Sequence, residues 1–191
     1  MNDRLQDLIN GFADHSPVLD SLMKVSAVDL VFLIAVIPPL LWFWPASPAD
    51  RARNQRIAAA SVFAVVAALG GAWVLGHLHT EARPFVSDSG TRLLIHHSAD
   101  NSFPSDHVTF AAAIAGALLA ARPALGIAAL AGTILIAVSR VFVGVHWPDD
   151  VVVALAIGLA VGSVAVRAEK WLVGPQRICS RLLPSAIISA P

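Results

Sequence analysis

The sequence predicts an all-α protein: a polytopic membrane helix bundle of about five transmembrane helices, preceded by an N-terminal amphipathic interfacial helix. Three observations predict it. Hydrophobic residues make up 57% of the 191 and charged ones 14%, and the mean hydropathy is +0.71, outside the usual soluble balance. The apolar residues fall into runs of roughly 15 to 20, about what a helix needs to cross the hydrocarbon core. Short polar segments rich in Pro, Arg, Asp and His separate those runs. The chain is read as one domain, 1–191, with an interfacial segment over 1–25 and a cytoplasmic tail over 172–191.

Each element has its own signal. Residues 3–13 place Leu5, Leu8, Ile9 and Phe12 at helical spacing, with Asp3, Arg4, Gln6 and Asp7 elsewhere, which predicts a short helix lying in the interface. The same region carries Asp3, Arg4, Asp7, Asp14 and Asp20 without a basic-then-apolar order, so no cleavable signal peptide is expected. A first span is expected over 26–44, kinked or ended by Pro38 and Pro39. The polar loop 50–56 leads into a second span over 57–77, and a polar stretch over 79–105 precedes a third over 107–121. Arg122-Pro123 is a tight turn, followed by a fourth span over 124–138 and a fifth over 150–166. Gly158 and Gly162, four residues apart in the fifth, fit close helix packing, either inside the bundle or on a dimer face.

The thirteen basic and thirteen acidic residues cancel, so bulk charge points to no nucleic acid or acidic partner. The lone Cys179 excludes an intramolecular disulfide and a cysteine-rich metal site. Arg51, Arg53, Arg56, Arg122, Arg167, Lys170, Arg177 and Arg181 fall on one side of this topology, opposed only by Asp50 and Glu169; that side is read as cytoplasmic. The opposite, periplasmic or exterior side receives the N-terminus, the 79–105 stretch and the 139–150 turn. Trp42, Trp44, Trp73, Trp147 and Trp171 lie near span ends, which suits headgroup anchoring and plain packing equally.

Three polar segments on that outer side call for a common explanation. One is Arg83-Pro84-Phe85. Another is Asn101-Ser102-Phe103-Pro104-Ser105-Asp106-His107, where Pro104 suits a first helical turn and the free N–H groups after it form an anion seat. The last runs from Ser139 and Arg140 to His146 and Asp150, ions that are costly at membrane depth unless they work there. Together they supply two guanidiniums, a hydroxyl, a helix N-terminus and two imidazoles, an inventory for phosphate. Arg83, Arg140, Ser105 and the backbone amides at Ser105 and Asp106 would hold nonbridging oxygens. His146 would attack phosphorus through one ring nitrogen while Asp150 accepts a hydrogen bond from the other. Pro148 is expected to start a helix, leaving His146 on the loop that enters it. His107 would protonate the leaving oxygen and later activate water. The Asp106 side chain belongs at the helix start, capping N–H groups or turned from substrate. The scheme needs no metal and no other cofactor.

Blander readings compete at each point. Arg83, Arg140 and Arg92 could snorkel to headgroups, the reading kept for Arg92. His146 and Asp150 alone could be a satisfied polar pair; the other two segments favour chemistry. Adjacent histidines cannot easily share one ion, so His77, His79, His96 and His97 are read as interfacial, with His96 and His97 at most lining a substrate mouth. Ser139 is read as positioning Arg140. A nonenzymatic membrane transporter or scaffold would also be apolar with buried ions, but would not need this convergent set.

Arg83-Pro84, Pro104-Ser105-x-His107 and Ser139-Arg140-x5-His146-x3-Asp150 resemble the three signature motifs of the type 2 phosphatidic-acid phosphatase superfamily, over about residues 5–170. Asn101 to His107 with aspartate where others have glycine, Gly144-Val145-His146-Trp147-Pro148, and the segment from Ile9-Asn10 to Ser26 resemble its bacitracin-resistance type, the undecaprenyl-diphosphate phosphatases. The resemblance implies a metal-independent phosphatase in the bacterial cytoplasmic membrane. Its implied substrate is a C55 polyprenyl diphosphate, hydrolysed outside the membrane to the monophosphate for carrier-lipid recycling in cell-wall synthesis. Phosphatidate, phosphatidylglycerol phosphate and lipid A phosphate are the rival substrates; a vanadate haloperoxidase of the same superfamily would be soluble. Oligomeric state is not legible. One position departs from the family: its first motif begins with lysine seven residues before the arginine, and here Gly76 stands there. If the helix continues to Arg83, His79 lies one turn before it and could supply part of that charge; Arg92 is the other candidate.

Overall fold

Proline opens most of the helices. The computed structural model describes residues 2–45 and 47–168, and in it α2 (Pro17–Val28), α5 (Pro48–Leu78), α6 (Pro84–Ser87), α8 (Pro123–Phe142) and α9 (Pro148–Arg167) all begin on a proline. That position needs no N–H and already has a helical φ. The remaining helices are α1 (Asn2–Asn10), α3 (Leu30–Ala35), α4 (Ile37–Phe43) and α7 (Asp106–Ala121). The one β interaction among the described residues is an isolated antiparallel bridge between Ala82 and Asn101.

The fold is all-α, but the expected count of about five transmembrane helices is corrected. Three helices are long and apolar enough to cross a membrane: α5, α8 and α9. A fourth crossing exists only if Pro17–Val28 and Leu30–Phe43, bent by 41°, form one broken span. Two physical facts account for the difference. The expected first span is interrupted at Asp29 and again at Val36, where α4 restarts with prolines in its first turn. The expected third span is α7, whose 16 residues rise only about 24 Å, short of a hydrocarbon core of roughly 30 Å. The Pro104 loop and Arg122-Pro123 cut it at both ends.

α7 is the core helix. Val108, Thr109 and the run Ala111 to Leu118 are buried, and it packs against α5, α8 and α9. Close approach to α9 requires small residues. A Cβ on Gly158 would lie 2.7 Å from Thr109 O, one on Gly162 would lie 2.8 Å from Ala117 N, and one on Gly116 would lie 2.8 Å from Leu159 Cα. Gly158 and Gly162 therefore serve packing inside the bundle. The same pattern continues on α5, which buries Ser61, Ala64, Ala68 and Ala72 and exposes Val62, Phe63, Val66 and Trp73. Small residues inside with large apolar ones outside suit helices that meet lipid.

Arg51, Arg53, Arg56, Arg122 and Arg167 lie together at one end of the bundle, where α5 and α8 start and α7 and α9 finish. Arg53 donates to Ala121 O at 2.9 Å, satisfying the last turn of α7, and Arg122 donates to Asn54 Oδ1 at 2.6 Å. The opposite end holds the C-termini of α5 and α8 and the N-termini of α7 and α9. Here α1 lies against α8 and α9 with Gln6 and Asn10 buried and Leu5, Leu8 and Phe12 exposed. Its polar side faces protein and its apolar stripe faces outward, an orientation suited to the membrane interface. The expected tail over 172–191, with Cys179, Arg177 and Arg181, lies outside the described residues, as do Glu169, Lys170 and Trp171.

Gly162→Val should overpack the seam between α7 and α9 and destabilise the protein by about 2 kcal/mol. Thermal unfolding in detergent reads this out, and an unchanged midpoint would contradict the seam.

Candidate active site

The α8 to α9 turn carries the central imidazole. α8 ends at Phe142, Gly144 turns the chain with φ +83, and Pro148 starts α9, so His146 sits on the entering loop. Asp150 occupies the third position of α9 and accepts the Trp147 N–H at 2.8 Å through Oδ2, a capping arrangement. The same Oδ2 lies 3.2 Å from His146 Nδ1 and accepts the Ser102 hydroxyl. Three donors thus hold one carboxylate oxygen, while Oδ1 has no partner. With Nδ1 donating to Asp150, the lone pair of His146 is at Nε2.

Two guanidiniums face that lone pair. Arg140 Nη2 donates to His146 Nε2 at 3.2 Å and Arg83 Nη1 approaches it at 3.4 Å. Both arginines are buried, Arg83 at 5% and Arg140 at 2% exposure, so neither snorkels. Arg83 precedes the short α6 and is anchored by Val145 O at 2.7 Å, Asn101 O at 3.1 Å and Asp100 Oδ1 at 2.8 Å. Arg140, in the last turn of α8, reaches Ala27 O at 3.4 Å and His97 Nε2 at 3.2 Å. Ser139 donates its hydroxyl to Ile136 O at 2.8 Å, a bond within the helix.

The 101–107 segment forms the adjoining wall. Ser105 is the N-cap of α7, fully buried, and its hydroxyl has no partner. Its N–H points to the Asp150 backbone carbonyl at 3.5 Å, which sets the start of α7 beside the first turn of α9. Asp106 is exposed at the first position of α7, and no side-chain capping bond forms there. His107 is half-buried beside it. Both line an apolar cavity of about 320 Å³ whose other walls are Val31, Phe32, Ala35, Leu69 and Phe110.

The structure therefore brings Arg83, Arg140, His146 and Asp150 into direct contact and sets Ser105 next to them. His79 is placed elsewhere. α5 stops at Leu78, so His79 is not one helical turn before Arg83; it is exposed, 3.7 Å from Glu81. Arg92 is occupied too, donating to Gly11 O at 2.7 Å and Ala13 O at 3.0 Å. At Gly76 a Cβ would lie 2.8 Å from Phe103 O. Asn101 locks this approach, donating to Gly76 O at 2.8 Å and accepting the Glu81 N–H at 2.8 Å.

Sequence reasoning gave His97 at most a place at the substrate mouth, read Asn101 and Ser102 only as part of the 101–107 segment, and missed Asp100. They lie in an irregular loop without periodicity; the only clue is that they immediately precede Pro104-Ser105. Asn10 was also unassigned to the site: it donates to Phe142 O at 2.8 Å and Arg92 O at 2.9 Å, pinning α1 beneath the loop.

Charge is unevenly shared. Burial, reinforced by the two guanidiniums and opposed by Asp150, pushes the His146 imidazole down to about 4, so it is neutral at physiological pH. Partial burial is offset at Asp100 by hydrogen bonds from Arg83 and Ser98, which hold its carboxyl below the usual range. Glu81 is pushed up by burial and by the charges of Asp149 and Asp150. These three carboxylates bring oxygens within 4.8 Å of one another, the one grouping among the described residues that could hold a metal ion.

Two buried guanidiniums thus surround an imidazole braced by a carboxylate, inside an apolar helix bundle. The family model described as the PAP2 superfamily matches residues 40–173, and the chain belongs to that superfamily of metal-independent membrane lipid phosphatases. It is 36% identical over 160 residues to the "Putative undecaprenyl-diphosphatase YbjG" of Escherichia coli, covering 83% of this chain and 78% of that protein. It is 30% identical over 172 residues to undecaprenyl-diphosphatase BcrC of Bacillus subtilis, covering 90% and 86%. The crystal structure of Aquifex aeolicus LpxE matches with a TM-score of 0.65 at 25% identity, over 87% of this chain and 94% of that one.

Gly76→Lys, although it would install the family's lysine, should push the 101–105 loop off α5 and lower phosphatase activity by about tenfold or more. Phosphate release by the purified variant checks this; activity at or above that of the unmodified protein would contradict it.

Proposed function

We propose that this protein hydrolyses a C55 polyprenyl diphosphate to the monophosphate and inorganic phosphate, on the extracytoplasmic face of a bacterial cytoplasmic membrane. The observation that carries the reading is the geometry at His146: Nδ1 held by Asp150, Nε2 facing Arg83 and Arg140. A terminal phosphoryl group entering between the guanidiniums would take over their hydrogen bonds from Nε2 and free that lone pair for attack. An N–P bond then forms as the P–O bond to the leaving phosphate breaks, with the guanidiniums, the Ser105 hydroxyl and the α7 N-terminus stabilising the equatorial oxygens. His107, which burial and the Arg140 charge keep neutral before substrate binds, takes up a proton as the phosphoryl anion enters and gives it to the departing oxygen. Water, deprotonated by His107, attacks the phosphohistidine and releases inorganic phosphate.

The substrate class follows from similarity to YbjG and BcrC over most of the chain, and the apolar cavity beside His107 suits an isoprenoid chain. The face follows from the basic end formed by Arg51, Arg53, Arg56, Arg122 and Arg167, which is opposite His146. A role in carrier-lipid recycling, and with it tolerance of bacitracin, is part of the same reading.

Purified protein in detergent with EDTA should release phosphate faster from undecaprenyl diphosphate than from phosphatidate, and His146→Ala should lower the rate by about 10³-fold or more. Equal rates on both lipids would remove the substrate assignment, and turnover by His146→Ala would remove the nucleophile. A pH profile tests the same imidazole. Attack needs neutral His146, so kcat/KM should persist as pH falls through the ordinary imidazole value of 6.5 and fail only well below it. Half-loss at 6.5 would contradict the depressed value.

A further inference from the structure

We infer that His97 is a positioning residue for the phosphate seat: its ring nitrogen holds the Arg140 guanidinium in place while His146 is engaged with phosphorus. The inference rests on the phosphatase reading above and identifies what sets the geometry of that seat.

Among the described residues Arg140 forms no ion pair with a carboxylate, and its Nε has no partner. Its fixed points are three: a long bond to Ala27 O at 3.4 Å, His146 Nε2 at 3.2 Å and His97 Nε2 at 3.2 Å. An arginine can only donate, so both imidazoles present lone pairs to it. His146 cannot do so during the reaction, because the same lone pair must form the bond to phosphorus. At that moment the protein's own hold on Arg140 reduces to His97 and one long bond. A guanidinium free to swing by an ångström would lose much of its value for the transition state.

His97 is built for that task. Its Nδ1 lies 3.1 Å from Ser98 O, which fixes the proton there and leaves Nε2 as acceptor. Its ring centre lies 6.4 Å from that of His146, edge on, so it does not crowd the nucleophile. Asp100 links it to the other arginine: Oδ1 accepts from Arg83 Nε at 2.8 Å and stands 3.9 Å from His97 Nδ1. Arg83, Asp100, His97, Arg140 and His146 thus form a closed circuit around the site. Burial, with the charges of Arg83 and Arg140 and against the bond to Ser98 and the charge of Asp100, lowers the proton affinity of His97 and preserves its acceptor.

The test measures KM and kcat on undecaprenyl diphosphate together with inhibition by orthovanadate, an analogue of the pentacoordinate phosphoryl group. His97→Ala should lower kcat/KM by about tenfold and weaken orthovanadate inhibition by a similar factor. His97→Gln, whose carbonyl can accept from Arg140, should recover both to within about threefold. If His97→Ala lowers the thermal midpoint, comparing His97→Gln with the shorter His97→Asn at matched midpoints gives the same reading. Unchanged kinetics and inhibition in His97→Ala would overturn the inference, as would equal damage in the glutamine and alanine variants. Failure of the phosphatase reading is a different result: the unmodified protein would release no phosphate from undecaprenyl diphosphate, whatever the His97 variants do.

Discussion

The organising constraint is the burial of two guanidiniums in an apolar bundle with too little negative charge to match them. Arg83 has a partner in Asp100, whose side chain is 60% exposed, and Arg140 has none among the described residues. A buried cation without a carboxylate is costly, and the bundle tolerates it only by surrounding it with carbonyls and imidazole lone pairs. The consequence is a pocket with surplus positive charge. Asp150, the one fully buried carboxylate here, does not neutralise either arginine; Ser102, Trp147 and His146 take its Oδ2.

That arrangement depends on where the short central helix begins and on how closely it is clasped. α7 starts beside Asp150, so its N-terminal turn and the unpartnered Ser105 hydroxyl lie next to the start of α9 that braces His146. Gly116, Gly158 and Gly162 let α9 approach it closely enough for the α9 N-terminus, with Asp150, to stand next to Ser105. A bundle packed through larger side chains would separate the helix ends, and the groups they carry, by several ångströms. The loop over 88–105 closes the seat from above and is itself tied to α1 through Asn10 and to α5 through Asn101.

The family assignment and the site geometry constrain different things. Membership in the PAP2 superfamily speaks for lipid phosphate chemistry without metal. The local structure explains how this chain accommodates glycine where the family has lysine: Asn101 and Phe103 occupy the approach to Gly76, while His79 lies exposed beside Glu81 and Arg92 is bonded to Gly11 O and Ala13 O. The cationic groups around His146 are Arg83 and Arg140.

Composition and motif spacing determined the all-α membrane class and the loop position of His146, because these depend on apolar run length and on proline; they also singled out Arg83, Arg140, His146 and Asp150, which the fold brings into contact. Span number was not legible from hydropathy. A helix of 16 residues buried among neighbours is as apolar as one that meets lipid, and only its packing and length distinguish them. The roles of His97, Asp100, Ser102 and Asn101 were decided by tertiary structure alone. They sit in a loop whose backbone has no period to read, and their partners lie up to 48 residues away, as Ser102 is from Asp150. Which cations a buried imidazole meets, and what holds them there, is set by how helix ends converge in space.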